Sequence, residues 1–299
     1  GVSALSIPVE RINETGNYQT VATVRDIPDL TFEVQSLDVS TEMEAICLRK
    51  DPTATTAGQE FDFNKSVPIY IISPFKAGQG LFNIVGGIAI PSLTLETVAY
   101  KFGIRANAEQ TFTFKGDSVF YIPGTPYYGQ AVKSGSSYTF ANAALLYNDP
   151  VGNDVYALGV CWTDPSTQLY GRLFHGQDFT DSSAGFTLTA SGLAAVPTGA
   201  IISWCYGSAT AATYDQSVHQ GVSVKPAAVK GRNVDIYVAY GATPVMARWT
   251  SVQTFDATRR VTLDPNAESG NSQYVSQDYD VPAVSGSLVP RPPYANDLP

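Results

Sequence analysis

The stretch Thr97-Val-Ala-Tyr-Lys-Phe-Gly-Ile-Arg-Ala-Asn-Ala-Glu-Gln-Thr-Phe-Thr-Phe-Lys115 decides the fold class. Val98, Tyr100, Phe102 and Ile104 alternate with Thr97, Ala99, Lys101 and Gly103. Arg105-Ala-Asn-Ala108 supplies a turn, after which Phe112 and Phe114 alternate with Thr111, Thr113 and Lys115. A period of two sends successive side chains to opposite faces, so each arm has one apolar and one wet side. The spacing predicts an antiparallel hairpin over 92–121, with a second turn at Lys115-Gly-Asp-Ser118.

The same pattern spreads outward. Leu30, Phe32 and Val34 alternate, and Leu37 and Val39 continue in the opposite phase, which predicts a bulge or bend in a strand over 20–39. Ser40-Thr-Glu-Met-Glu44 places a hydroxyl cap and acids at the start of one short helix, closed by Arg49-Lys50 and stopped by Pro52. Residues 51–66 read as a polar loop, Val67–Ser73 as a strand and Pro74–Gly80 as a turn.

Beyond Pro123-Gly-Thr-Pro126 the composition shifts towards Gly, Ser, Ala and Tyr, with apolar runs at 143–147, 155–162, 185–189 and 200–206. Their length and turn-rich boundaries predict a second, sandwich-like module. Alternation resumes at Val234, Ile236, Val238 and Tyr240 and continues through Trp249–Phe255 and Arg260–Leu263. The expected architecture is therefore mainly β: an antiparallel β-sandwich or partial barrel with one short helix. The β domain takes 20–123 and 226–285, interrupted by a β module at 124–225. Residues 1–19 form an N-terminal arm and 286–299 a Pro-rich C-terminal arm, where Pro290, Pro292, Pro293 and Pro299 oppose sheet and helix.

Composition narrows the function. Of 299 residues, 44% are hydrophobic and 15% charged, with a formal charge of −9. Seventeen Tyr and 14 Phe in a chain so poor in charge exclude disorder. The longest apolar stretch, Leu81–Ile90, is half the roughly 20 residues of a membrane-spanning helix. An acidic balance with no Lys/Arg cluster argues against gripping nucleic acid, which needs phosphate-neutralising cations. The chain opens on Gly1 without a basic n-region, so a trimmed start and no uncleaved signal peptide are expected.

Each candidate for chemistry has a plainer explanation. Cys47, Cys161 and Cys205 lack Cys-x-x-Cys spacing and read as buried free thiols, with a Cys161–Cys205 disulfide left open. His175 and His219 read as loop or surface imidazoles, and no Gly-x-Ser-x-Gly elbow accompanies them. Asp178 and Asp181 do not match an EF-hand loop and read as a solvated turn. Gly78, Gly80, Gly86 and Gly87 form no phosphate-binding motif and read as turn glycines. Most Tyr and Phe fall at alternating positions and read as core or interface. No catalytic, metal or cofactor site is expected. Long polar loops, extended ends and open strand edges suit assembly with other copies.

Ile90–Asp117 resembles a long hairpin of bacteriophage tail tube and related tail structural proteins, in which an aromatic-x-aromatic strand turns into a Glu-Thr-type strand ending on Gly-Asp. Val24–Ile46 resembles their strand-then-helix segment. Together these stretches cover about a third of the chain. The resemblance implies a virion protein, assembled in the host cytoplasm, whose rings stack into a tube that DNA traverses without specific binding. Its partners would be its own copies and other tail proteins, with no enzymatic activity and no cofactor. Neighbouring sheets would join into a lining with an acidic lumen, which a net charge of −9 suits because like charge discourages sticking. Glu33, Asp38, Glu96 and Glu109 are acidic members of the polar strand faces, and some are expected to face the lumen. The module at 124–225 departs from a minimal tube protein and would be an outward decoration or mark another virion component. Two other classes stay open. One is a receptor- or carbohydrate-recognising β protein of a capsid, fibre or cell surface. The other is a polysaccharide hydrolase.

Overall fold

The computed structural model describes residues 2–6, 9–12, 22–25, 29–36, 69–76, 84–103, 106–148, 154–167, 169–211, 237–240, 245–248, 252–266, 276–279, 281 and 283–290. The strands, in chain order, begin with β1 (Val2–Ser6), β2 (Val9–Ile12), β3 (Ala22–Arg25), β4 (Asp29–Ser36), β5 (Ile69–Lys76) and β6 (Ile84–Gly103). Next come β7 (Glu109–Gly116), β8 (Phe120–Pro123), β9 (Thr125–Val132), β10 (Ser137–Thr139), β11 (Tyr147–Asn148) and β12 (Asp154–Val155). There follow β13 (Leu158–Thr163), β14 (Tyr170–Arg172), β15 (Phe179–Ser182), β16 (Gly185–Leu188), helix α1 (Ala190–Ala195) and β17 (Ile201–Ser208). The last are β18 (Tyr237–Tyr240), β19 (Val245–Arg248), β20 (Val252–Arg260), β21 (Leu263–Asn266), β22 (Ser276–Tyr279) and β23 (Ala283–Pro290).

The fold is mainly antiparallel β, as the alternation predicts, and no closed barrel forms among the described strands. The decisive hairpin is β6–β7, paired from Thr94↔Lys115 to Lys101↔Glu109. It sits at the centre of a sheet ordered β1-β4-β7-β6-β20-β23. Every neighbouring pair along that path is antiparallel. The first half of β6 pairs with β5 from Ile69↔Leu93 to Lys76↔Ile84 and with β8 from Ala89↔Phe120 to Gly86↔Pro123. One 20-residue strand thus serves two sets of partners. Leu30, Leu93, Leu95, Val98, Phe112 and Phe114 form the core beneath it, each at most 2% exposed.

Thr125–Ser208 builds the second module. Its first and last strands, β9 and β17, lie side by side from Thr125↔Ser208 to Val132↔Ile201. A four-stranded sheet, β14-β13-β17-β9, faces a three-stranded one, β10-β16-β15. Tyr138, Phe179, Phe186, Leu188, Ile202, Trp204 and Tyr206 fill the space between, with Phe186 packed on Tyr138 and edge-on to Trp204. Two tryptophans lie over cross-strand glycines, Trp204 over Gly129 and Trp162 over Gly171. A Cβ on Gly129 would fall 2.4 Å from the Trp204 ring, so only glycine leaves room for the indole there.

Several local expectations change. The short helix expected over 40–50 lies outside the described residues. The described helix is α1, whose cap Thr189 accepts a 3.2 Å hydrogen bond from the Gly192 N–H. Gly86 and Gly87 are not turn glycines. They lie inside β6 between β5 and β8, and a Cβ on Gly86 would meet the Tyr121 hydroxyl at 2.8 Å. Pro74–Lys76 extend β5 rather than starting a turn. Of the apolar run at 143–147, only Ala144 makes a bridge, to Ser208, before Tyr147 enters β11. Within the stretch read as an N-terminal arm, Val2–Ser6 pairs with β4 and Val9–Ile12 with β3. Pro290 ends β23 opposite Val252.

Candidate assembly surface

Register places the side chains of the large sheet on two unlike faces. Cross-strand partners share a face, so Glu33 on β4, Thr113 on β7 and Thr97 on β6 stand in one row. The rows beside it carry Thr31 with Lys115, Gln35 with Thr111 and Ala99, and Glu109 with Lys101. β20 adds Asp256, Thr258 and Arg260 opposite Lys101, Ala99 and Thr97, and β23 adds Ser287 and Ser285. This face is rich in threonine, whose branched Cβ suits a pleated strand while its hydroxyl stays wet. The reverse face carries Leu30, Val98, Phe112 and Phe114.

The four acidic residues singled out from sequence land differently. Glu33 is exposed, with Val2 and Thr113 opposite it. Glu109 is half-buried opposite Lys101. Glu96 occupies the bulge between Leu95 and Thr97. Its carbonyl accepts the Val261 N–H at 2.9 Å, and its carboxylate accepts from the Arg260 guanidinium at 3.2 Å. Only 12% of the Glu96 side chain is exposed, so Arg260 holds this carboxylate down on the sheet. Asp38 lies outside the described residues. Lys101 and Lys115, which alternation already set among the polar strand positions, share this face, and Arg260 joins them from β20. Lys115 donates to Thr31 Oγ1 at 2.8 Å and lies 3.4 Å from an Asp29 carboxylate oxygen. Asp29, Glu33, Glu96, Glu109 and Asp256 thus share the sheet with Lys101, Lys115 and Arg260, and the surface is mildly acidic.

The edges of this sheet are β1 and β23, which pair among the described strands only with β4 and β20. Six strands in strict antiparallel alternation make these two edges run in opposite directions. Val284 and Val289 on β23 are 74% and 47% exposed. An edge of unpaired N–H and C=O groups with exposed valines is a template for another strand.

Buried polar ties fix the second module to the sheet. The Tyr70 hydroxyl of β5 has one proton to offer to the carbonyls of Gly159, at 2.5 Å, and Ser203, at 3.0 Å. Its oxygen is also 2.8 Å from Cys161 Sγ. Arg172 donates to Asp117 at 2.5 Å, with both side chains at most 6% exposed. Burial opposes the Arg172 charge, but Asp117 beside it holds the guanidinium pKa above its ordinary value. Cys161 and Cys205 are both free, buried thiols, so no disulfide joins them. Cys205 packs with Ala89, Ile122, Val155 and Leu158 where module and sheet meet.

Asp178 and Asp181 are not a solvated turn. Asp181 Oδ2 accepts the N–H groups of Tyr156 and Ala157, both at 2.8 Å, and Oδ1 lies 3.2 Å from His175 Nε2. Asp178 is 5% exposed and accepts from the Phe174 N–H and the Ser191 hydroxyl, both at 2.9 Å. Their oxygens organise backbone inside the module. His175 packs edge-on against Phe179, and His219 lies outside the described residues. Among the described residues no three His, Cys, Asp or Glu side chains gather as metal ligands, and no helix is long and apolar enough to cross a membrane. No protein-family model matches the chain, and no curated protein matches it.

Proposed function

We propose that this chain is a structural subunit of a bacteriophage tail tube. Copies join the large sheet edge to edge into rings, and the rings stack into a channel for DNA. The observation that carries this reading is the parity of the sheet. With six strands in alternation, β23 of one copy meets β1 of the next in antiparallel sense under a simple rotation. A head-to-tail contact of that kind closes into a ring when the rotation allows. The threonine-rich face supplies a wet lining, and its small acidic excess gives DNA little to hold. Other tail proteins would cap the stack, and the second module, fixed by buried ties, would travel rigidly with each subunit.

Val284→Asp tests the seam. Val284 is 74% exposed, so the substitution should change the stability of an isolated copy by no more than ~0.5 kcal/mol. A charge placed in each seam should raise the concentration needed for assembly at least about tenfold, measured by sedimentation. Unchanged assembly would remove β23 from the seam.

A further inference from the structure

We draw no further inference here: the strongest candidate, the cleft of about 350 Å³ between the outer edges of β9 and β10 in the second module, carries none, because nothing in the structure shows what covers it.

Discussion

Asp117 and Arg172 are 55 residues apart in the chain and form one buried ion pair at 2.5 Å between sheet and module. Removing one partner of such a pair leaves an uncompensated charge in a poorly solvated place. Asp117→Ala should therefore destabilise the fold by about 3–5 kcal/mol, read as a drop in the urea midpoint. Cys205 makes a second prediction at this scale. Burial, then the nearby Cys161, pushes the Cys205 thiol up, and burial followed by Cys161 does the same to the Tyr70 hydroxyl. A folded-state pKa above the unfolded value means that the neutral form is favoured by folding. For Cys205 that stability is complete below the ordinary thiol pKa of about 8.5 and falls as pH rises through it, by up to about 1.4 kcal/mol per unit, whereas for Tyr70 the fall begins only at the ordinary tyrosine pKa of about 10. Urea melts from pH 7.5 to 10 should show this decline, and Cys205→Ala should make it shallower. Sequence reading placed both thiols in apolar strands correctly. It read Asp178 and Asp181 as solvated, because a lone carboxylate in a Gly- and Ser-rich stretch carries no local sign of the amides it will meet. Those amides belong to Phe174, Tyr156 and Ala157, brought up by β13 and the turn before β15.

At the scale of elements, the hairpin was legible because its information is local. Alternation from Val98 to Phe102 and from Phe112 to Phe114 states both the strands and their faces, and the turn sits between them. The extension of β6 back to Ile84 was less legible. Gly86 and Gly87 look like punctuation, yet they are placed there because Tyr121 and two flanking strands approach closely. Pairings such as β6 with β20 join residues more than 150 positions apart, and no short window holds that information. The bulge at Glu96 is of the same kind, visible only once Thr113 and Arg260 set the register. The cross-strand pair of Trp204 with Gly129 gives a further expectation. Gly129→Ala drives a methyl into the indole and should cost about 1–3 kcal/mol, with a changed Trp204 fluorescence, whereas Gly135→Ala, with open space around it, should not produce that clash.

For the whole molecule, the acidic residues matter as a surface more than singly. The sheet face combines exposed Glu33 and half-buried Glu109 with Lys101, Lys115 and Arg260. Converting Glu33 and Glu109 to lysine would make cations predominate on this face. Assembled double variant should then retain DNA at low salt and release it as salt rises, while the parent retains little. The most direct measurement is an electron-microscopic reconstruction of the purified, assembled protein. The account predicts rings in which β23 of each copy lies antiparallel to β1 of the next, with Glu33 and Glu109 turned to the central hole. Particles in which both edges stand in solvent, or in which the threonine-rich face points outward, would contradict it.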